Sequence, residues 1–131
     1  MINTTLVPLL GRAALAALFF YGGYSKLMNV AGTTGYLAKL ALPMPEILVW
    51  LVIAVEVLGA LLILIGWQTR LVAWAMAMFT LGTAILGHRF WGIDPSQFNH
   101  QLTQFLKNVS IAGGFLMLAA YGPGRISADR R

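Results

Sequence analysis

Four apolar runs, each close to twenty residues long, dominate this chain: about residues 6–27, 46–65, 71–91 and 104–121. A helix crossing a bilayer needs about 20 such residues. Only helices and closed barrels satisfy every backbone group in lipid, and these runs lack the apolar–polar alternation of barrel strands. Of the 131 residues, 59% are hydrophobic and 10% charged. A soluble domain carries about 25% charged residues, so this chain has too few to cover a water-facing surface. Disorder is excluded too, because it requires low hydrophobicity and high charge. The turn Gly66-Trp67-Gln68-Thr69-Arg70 is so short that the runs on either side must lie next to each other. The expected fold is an all-α membrane protein: one integral-membrane domain over residues 1–131, built as a four-helix antiparallel transmembrane bundle.

Charges and loops refine that picture. Residues 1–11 hold no Lys or Arg, and the first run is too long for a signal-peptide core, so it reads as a retained helix. The formal net charge is +5, but the nine Lys and Arg sit at the ends of apolar runs. No basic stripe or aromatic–basic interleaving marks a nucleic-acid partner. Arg12, Arg70, Arg125, Arg130 and Arg131 fall on the side of the termini, and Lys26, Lys39, Arg89 and Lys107 on the other. That small excess places both termini in the cytoplasm. Trp67 and Trp74 flank the short turn, with Trp50 and Trp91 towards the opposite interface, in the pattern of an aromatic belt. Two polar loops share that opposite side. Tyr36, Leu37 and Leu40 fit one face of a short interfacial helix over 30–41, and Asp94-Pro95-Ser96 starts a second over 94–103.

Helices in lipid associate through small and polar residues, so stripes of these mark inward faces. At helical spacing the stripes are Arg12, Ala16, Phe19, Gly23 and Lys26; Glu56, Gly59, Ala60 and Ile63; Thr80, Ala84, Gly87 and His88; and Lys107, Ser110 and Gly114 with Asn108 beside them. Glu56 lies mid-span, where an ionised group costs about 2.5–3.5 kcal/mol, so it needs a proton or a cation. Arg12 is the expected partner. Such a pair serves either proton chemistry and ligand anchoring or helix register. Lys26, His88, Arg89, Lys107 and Asn108 gather at the outer end from three helices. They read either as a polar pocket or as snorkelling helix ends. An imidazole can give or take a proton, which makes His88, with Glu56, a candidate catalytic group. The ligand-binding candidates are Arg12, Lys26, Glu56, His88, Lys107 and Asn108. An amphipathic ligand would put its head among them and its tail among Phe19, Phe20 or Trp91. With two histidines and no cysteine, no metal or haem site and no thiol chemistry is expected within the chain.

Several segments are together distinctive. They are Phe20-Tyr21-Gly22-Gly23-Tyr24-Ser25-Lys26-Leu27, Leu42-Pro43-Met44-Pro45, Glu56 with Gly59, the turn 66–70, Gly82-Thr83-Ala84 through His88-Arg89-Phe90-Trp91, Phe105 through Gly114, Gly122-Pro123-Gly124 and Ser127-Ala128-Asp129. On these segments, spread over essentially the whole chain, the sequence resembles the DoxX family of small bacterial inner-membrane proteins. The resemblance implies a location in the inner (plasma) membrane and a tie to membrane oxidoreductases, since the family is similar to a subunit of a thiosulfate:quinone oxidoreductase. It transfers no catalytic residue set. Without cysteine, a redox role requires a quinone or a partner subunit's cofactor; no covalent cofactor is expected. The reading is a redox accessory protein in contact with membrane lipids, binding a quinone or similar amphiphile. The alternative is a non-enzymatic scaffold, lipid-binding protein or small-solute carrier, acting as a homo-oligomer.

Overall fold

Among the described residues, proline, glycine and capping side chains mark off five helices. The computed structural model describes residues 2–129, and their order is α1 (Leu6–Met28), α2 (Val30–Lys39), α3 (Pro45–Ile65), α4 (Thr69–Gly87) and α5 (Pro95–Tyr121). The Asn29 side chain accepts from Gly32 N–H and starts α2 directly after α1. Pro45 opens α3, where its missing N–H costs nothing. Gly66, at φ 72°, closes α3 in a left-handed conformation. The Asp94 carboxylate accepts from Ser96 N–H and caps α5, with Pro95 in its first turn. Among the described residues there is no strand.

The four long helices are long and apolar enough to cross a membrane. Large apolar side chains stand outward on them, among them Leu10 (65% exposed), Leu71 (70%) and Met117 (60%). Such a surface is untenable in water and natural against lipid tails.

Two helix pairs form the body: α1 packs along α3, and α4 along α5, with smaller contacts between the pairs. Small residues permit the closeness. A Cβ on Gly23 would stand 2.6 Å from Val57 Cγ2, so only glycine lets α1 lie this near α3. The main core joins Phe19, Ile63, Met76 and Phe115 through buried alanines. A second, smaller core of Leu37, Val49 and Ile53 seats α2 on α3.

The structure corrects the sequence reading in three places. The third span was expected to reach Trp91, but α4 stops at Gly87. His88 leaves the helix at φ −126°, and the Phe90 ring folds back onto Phe105, 5.2 Å between centroids. The separate helix over 94–103 is instead the start of α5, a single helix of 27 residues. No proline or glycine interrupts residues 96–112, so the helix continues through its polar stretch. Finally, α5 buries Ala112, Phe115 and Ala119, while Lys107 and Ser110 are exposed. Its inward stripe is Asn108, Ala112, Phe115 and Ala119, one residue round from the expected one.

Candidate functional site: a polar cavity between the helix pairs

The buried polar groups separate into two ends of the molecule. At one end Arg12, 1% exposed, reaches from the second turn of α1 to the last carbonyls of α3. Its Nη1 donates to Leu64 O at 2.8 Å and Ile63 O at 3.2 Å, and its Nη2 donates to Ile126 O. Those carbonyls have no partner within their own helix, and a guanidinium supplies the donors they lack. Arg70 does the same for α5, donating to Ala119 O at 2.9 Å and to Ala120 O. The segment after α5 returns across the α3–α4 turn: Ala128 N donates to Ile65 O and Asp129 N to Gly66 O, both at 2.9 Å. The Asp129 carboxylate accepts from Gln68 N and Thr69 N, both at 2.8 Å, and so caps α4.

Arg12 is therefore not the partner of Glu56. Ile63, which Arg12 touches, is seven residues beyond Glu56, about 10 Å along the helix. Level with Glu56 is the glycine pair of α1, where a Cβ on Gly22 would lie 3.0 Å from Glu56 Oε2. One turn further along α1 comes Lys26. Its Nζ stands 3.0 Å from Glu56 Oε1 and 3.2 Å from Oε2. The expectation of a cation beside Glu56 is met, with Lys26 in that place. The stagger of α1 against α3, set by Gly22 and Gly23, is what decides the partner.

This ion pair forms part of the wall of a cavity of about 630 Å³ between the two helix pairs, roofed by α2. The other wall is α4 and α5. There Asn108 Nδ2 donates to Thr83 Oγ1 at 3.3 Å, Thr83 Oγ1 donates to Thr80 O at 2.8 Å, and Thr80 Oγ1 donates to Met76 O at 2.7 Å. His88 lines the cavity from the end of α4, and its Nδ1 lies 3.1 Å from Gln101 Oε1. Tyr36 of α2 donates its hydroxyl proton to Gly87 O at 3.2 Å, tying the roof to α4. Burial raises the Tyr36 pKa, so the phenol stays a donor at neutral pH. Leu18, Phe19, Leu48, Val52, Phe79 and Ile111 make most of the remaining lining apolar.

Of the six expected binding residues, the cavity thus brings together Lys26, Glu56, His88 and Asn108. Arg12 is bound into the opposite end. Lys107 is exposed and faces away, into a shallow surface depression with Thr103 and Ser110. Phe19 lines the cavity, whereas Phe20 and Trp91 do not. Thr83, Tyr36 and Gln101 were not among the site residues expected from the sequence. Thr83 carried a signal, a hydroxyl three residues after Thr80 in an apolar helix. Tyr36 and Gln101 depend on where α2 and the start of α5 lie against the end of α4. Among the described residues no cluster of His, Asp or Glu could hold a metal ion.

Residues 7–89 match the family model described as DoxX. The chain is 42% identical over 123 residues to inner membrane protein YphA of Escherichia coli (strain K12), covering 94% of this chain and 88% of that protein. It is 40% identical over 122 residues to inner membrane protein YqjF of the same organism, covering 93% and 88%. CatD of Bacillus subtilis (strain 168), provisionally named an oxidoreductase, is 30% identical over 77 residues, 59% of this chain and 56% of CatD. No solved structure matches the chain.

Proposed function

The chain belongs to the DoxX family, and from that premise we propose that it is an inner-membrane redox accessory protein holding a quinone, or an amphiphile of similar shape, in the cavity between its helix pairs. The observation that carries this reading is the cavity itself. Its volume of about 630 Å³ lies within the range of roughly 300–1,000 Å³ usual for small-molecule sites. Its lining is apolar except for a few convergent polar groups, as such sites require. Lys26 supplies N–H donors on one wall and Asn108 on the other, and on this reading they would hold the two oxygens of a quinone head. Phe19, Phe79 and the leucines would take the chain. A bound quinone supplies two-electron, two-proton chemistry, and the provisional oxidoreductase name of CatD gives that chemistry modest support. Glu56, paired with Lys26, and His88 are the groups able to hold or pass a proton. Electrons would come from a partner subunit.

The membrane placement follows the same reading. The four long helices form one antiparallel bundle and one domain. The end of α1 and the start of α3, which flank α2, then lie at one interface, with α2 along it. Both termini face the cytoplasm; Arg130 and Arg131, counted towards that orientation, lie outside the described residues. The test is quinone binding to the purified protein in lipid nanodiscs. Wild type and Lys107→Ala should bind a short-chain ubiquinone alike, because Lys107 faces away from the cavity. Lys26→Ala and Asn108→Ala should bind it at least about fivefold more weakly, the loss of one hydrogen bond of roughly 1 kcal/mol. If wild type binds neither ubiquinone nor menaquinone, the redox reading gives way to a scaffold, lipid-binding or carrier role.

A further inference from the structure

We infer that the cavity selects uncharged amphiphiles and rejects anionic ones, and that Glu56 is the residue responsible. This rests on the ligand-binding reading above and names its ligand class. The charges decide it. Among the described residues, Lys26 is the one lysine or arginine that lines the cavity; Lys39, Arg89 and Lys107 do not. Lys26 is already matched, with both Glu56 oxygens within 3.2 Å of its Nζ. Lysine and glutamate cancel, and His88, the remaining basic side chain of the lining, adds no charge as a neutral imidazole, so the lining then carries no net charge.

With the His88 imidazole neutral, an entering carboxylate or phosphate would find no free cation. It would have to displace Glu56 from Lys26 or lie beside it, and like charges repel strongly where water is scarce. A neutral head fares better. Two N–H bonds of Lys26 are directed at the carboxylate, which leaves one proton of the ammonium to donate. Asn108 uses one amide proton on Thr83 and keeps the other, along with its carbonyl oxygen. The hydroxyl protons of Thr80 and Thr83 are committed to Met76 O and Thr80 O, so the two oxygens present only lone pairs. Donors and acceptors without net charge suit a ligand bearing carbonyl or hydroxyl groups and no ionised group.

The experiment compares decylubiquinone with oleate, the neutral and anionic probes, at pH 8, above the ordinary imidazole range, on the full chain in phosphatidylcholine nanodiscs, against protein-free discs. Wild type should bind decylubiquinone and take oleate at least tenfold more weakly. Glu56→Gln frees the Lys26 charge and should tighten oleate roughly tenfold or more, the size of one charge-assisted hydrogen bond. The double variant Lys26→Gln/Glu56→Gln is neutral again and should return oleate to its wild-type level. Thr83→Lys leaves the ion pair in place and adds a cation from the opposite wall; it should also admit oleate, and it keeps the test open if Glu56→Gln fails to fold. Oleate bound by wild type as tightly as decylubiquinone would overturn the charge rule and leave the ligand reading standing. Unchanged oleate affinity in both Glu56→Gln and Thr83→Lys would overturn it as well. If neither probe binds wild type, the ligand reading falls and this inference with it.

Discussion

The two ends of the bundle use buried charge in opposite ways. At the end holding the α3–α4 turn, Arg12, Arg70 and Asp129 are bonded to backbone: two guanidiniums on the carbonyls that finish α3 and α5, one carboxylate on the amides that begin α4. Little space is left. A Cβ on Gly66 would stand 2.4 Å from Arg12 Nη1 and 2.5 Å from Ser127 Cβ. At the other end Lys26, Glu56, Asn108 and Thr83 are bonded side chain to side chain, beside about 630 Å³ of open volume. Charges that satisfy a helix end are structural and leave nothing for a ligand. Charges that satisfy one another along a cavity wall keep donors and acceptors free. Residue type alone does not separate these uses, since both ends hold a cation and a carboxylate.

The comparison predicts that substitutions at the filled end cost stability and those at the open end cost binding. The largest effect belongs to Arg12→Met. It strips three carbonyls of their donor, and each bond to a charged group is worth about 1.5–3 kcal/mol, with less recovered in a membrane. A loss of roughly 3 kcal/mol is expected in SDS titration followed by tryptophan fluorescence, with ligand binding of the surviving folded fraction unchanged. A loss under about 1 kcal/mol would mean that the carbonyls find other donors. Gly66→Ala comes next, at about 2 kcal/mol, because it strains a position at φ 72° and collides with Arg12 and Ser127. Asp129→Ala removes the cap of α4 and should cost about 1 kcal/mol, with Asp129→Asn in between.

How far all this was legible in the sequence depends on the length scale involved. The four spans follow from run length, and α2 from the local pattern around Tyr36 and Leu37. The inward faces of α1 and α3 follow from stripes anchored on Arg12 and Glu56, both of which are buried. The partner of Glu56 did not follow, because pairing depends on the stagger of α1 against α3. That stagger is set by contacts at Gly22 and Gly23, and depth counted along each helix separately does not reveal it. The face of α5 was misread for a similar reason. Lys107 and Asn108 are adjacent, so a rotation of about 100° exchanges lipid for cavity. The true stripe, Asn108, Ala112, Phe115 and Ala119, runs beside Lys107, whose charge in an apolar run points to an inward polar face. The role of Arg12 depended on the chain after α5 returning to the turn, a long-range contact with no local signature.

At the open end the order of effects reverses. Glu56→Gln keeps the shape of the side chain, and Lys26, 31% exposed, retains access to water. Glu56 itself is buried, but the charge left behind is that of Lys26, whose access to water should hold the cost to about 1 kcal/mol, well below that of Arg12→Met. In the same sample, selectivity between neutral and anionic ligands should change. A stability loss as large as that of Arg12→Met would place Glu56 with the structural charges and erase the difference between the ends.

The smallest effect is a cap that should matter only in acid. Asp94, at the start of α5, accepts from Ser96 N–H, and that bond holds its carboxyl below the usual range. The folded chain therefore binds this proton less readily than the unfolded one. The stabilisation is complete above the unfolded value, near pH 4, and is lost as pH falls through the lower folded value. Asp94 is exposed, so solvent screens the effect and it should be slight. The same position in Asp94→Ser retains an oxygen able to cap but carries no titrating proton. Melting of wild type and Asp94→Ser should thus differ by a constant amount from pH 8 down to about pH 5. The two should converge between about pH 4 and pH 2. Asp94 also lies at the end of α5 that carries Gln101 and Asn108, so its acid loss tests whether fraying there reaches the cavity. If quinone affinity falls in step with the melting temperature over that interval in wild type but not in Asp94→Ser, the start of α5 belongs mechanically to the open end. If affinity holds while the cap is lost, the part of α5 that supports the cavity begins further along the helix, at Gln101 beside His88.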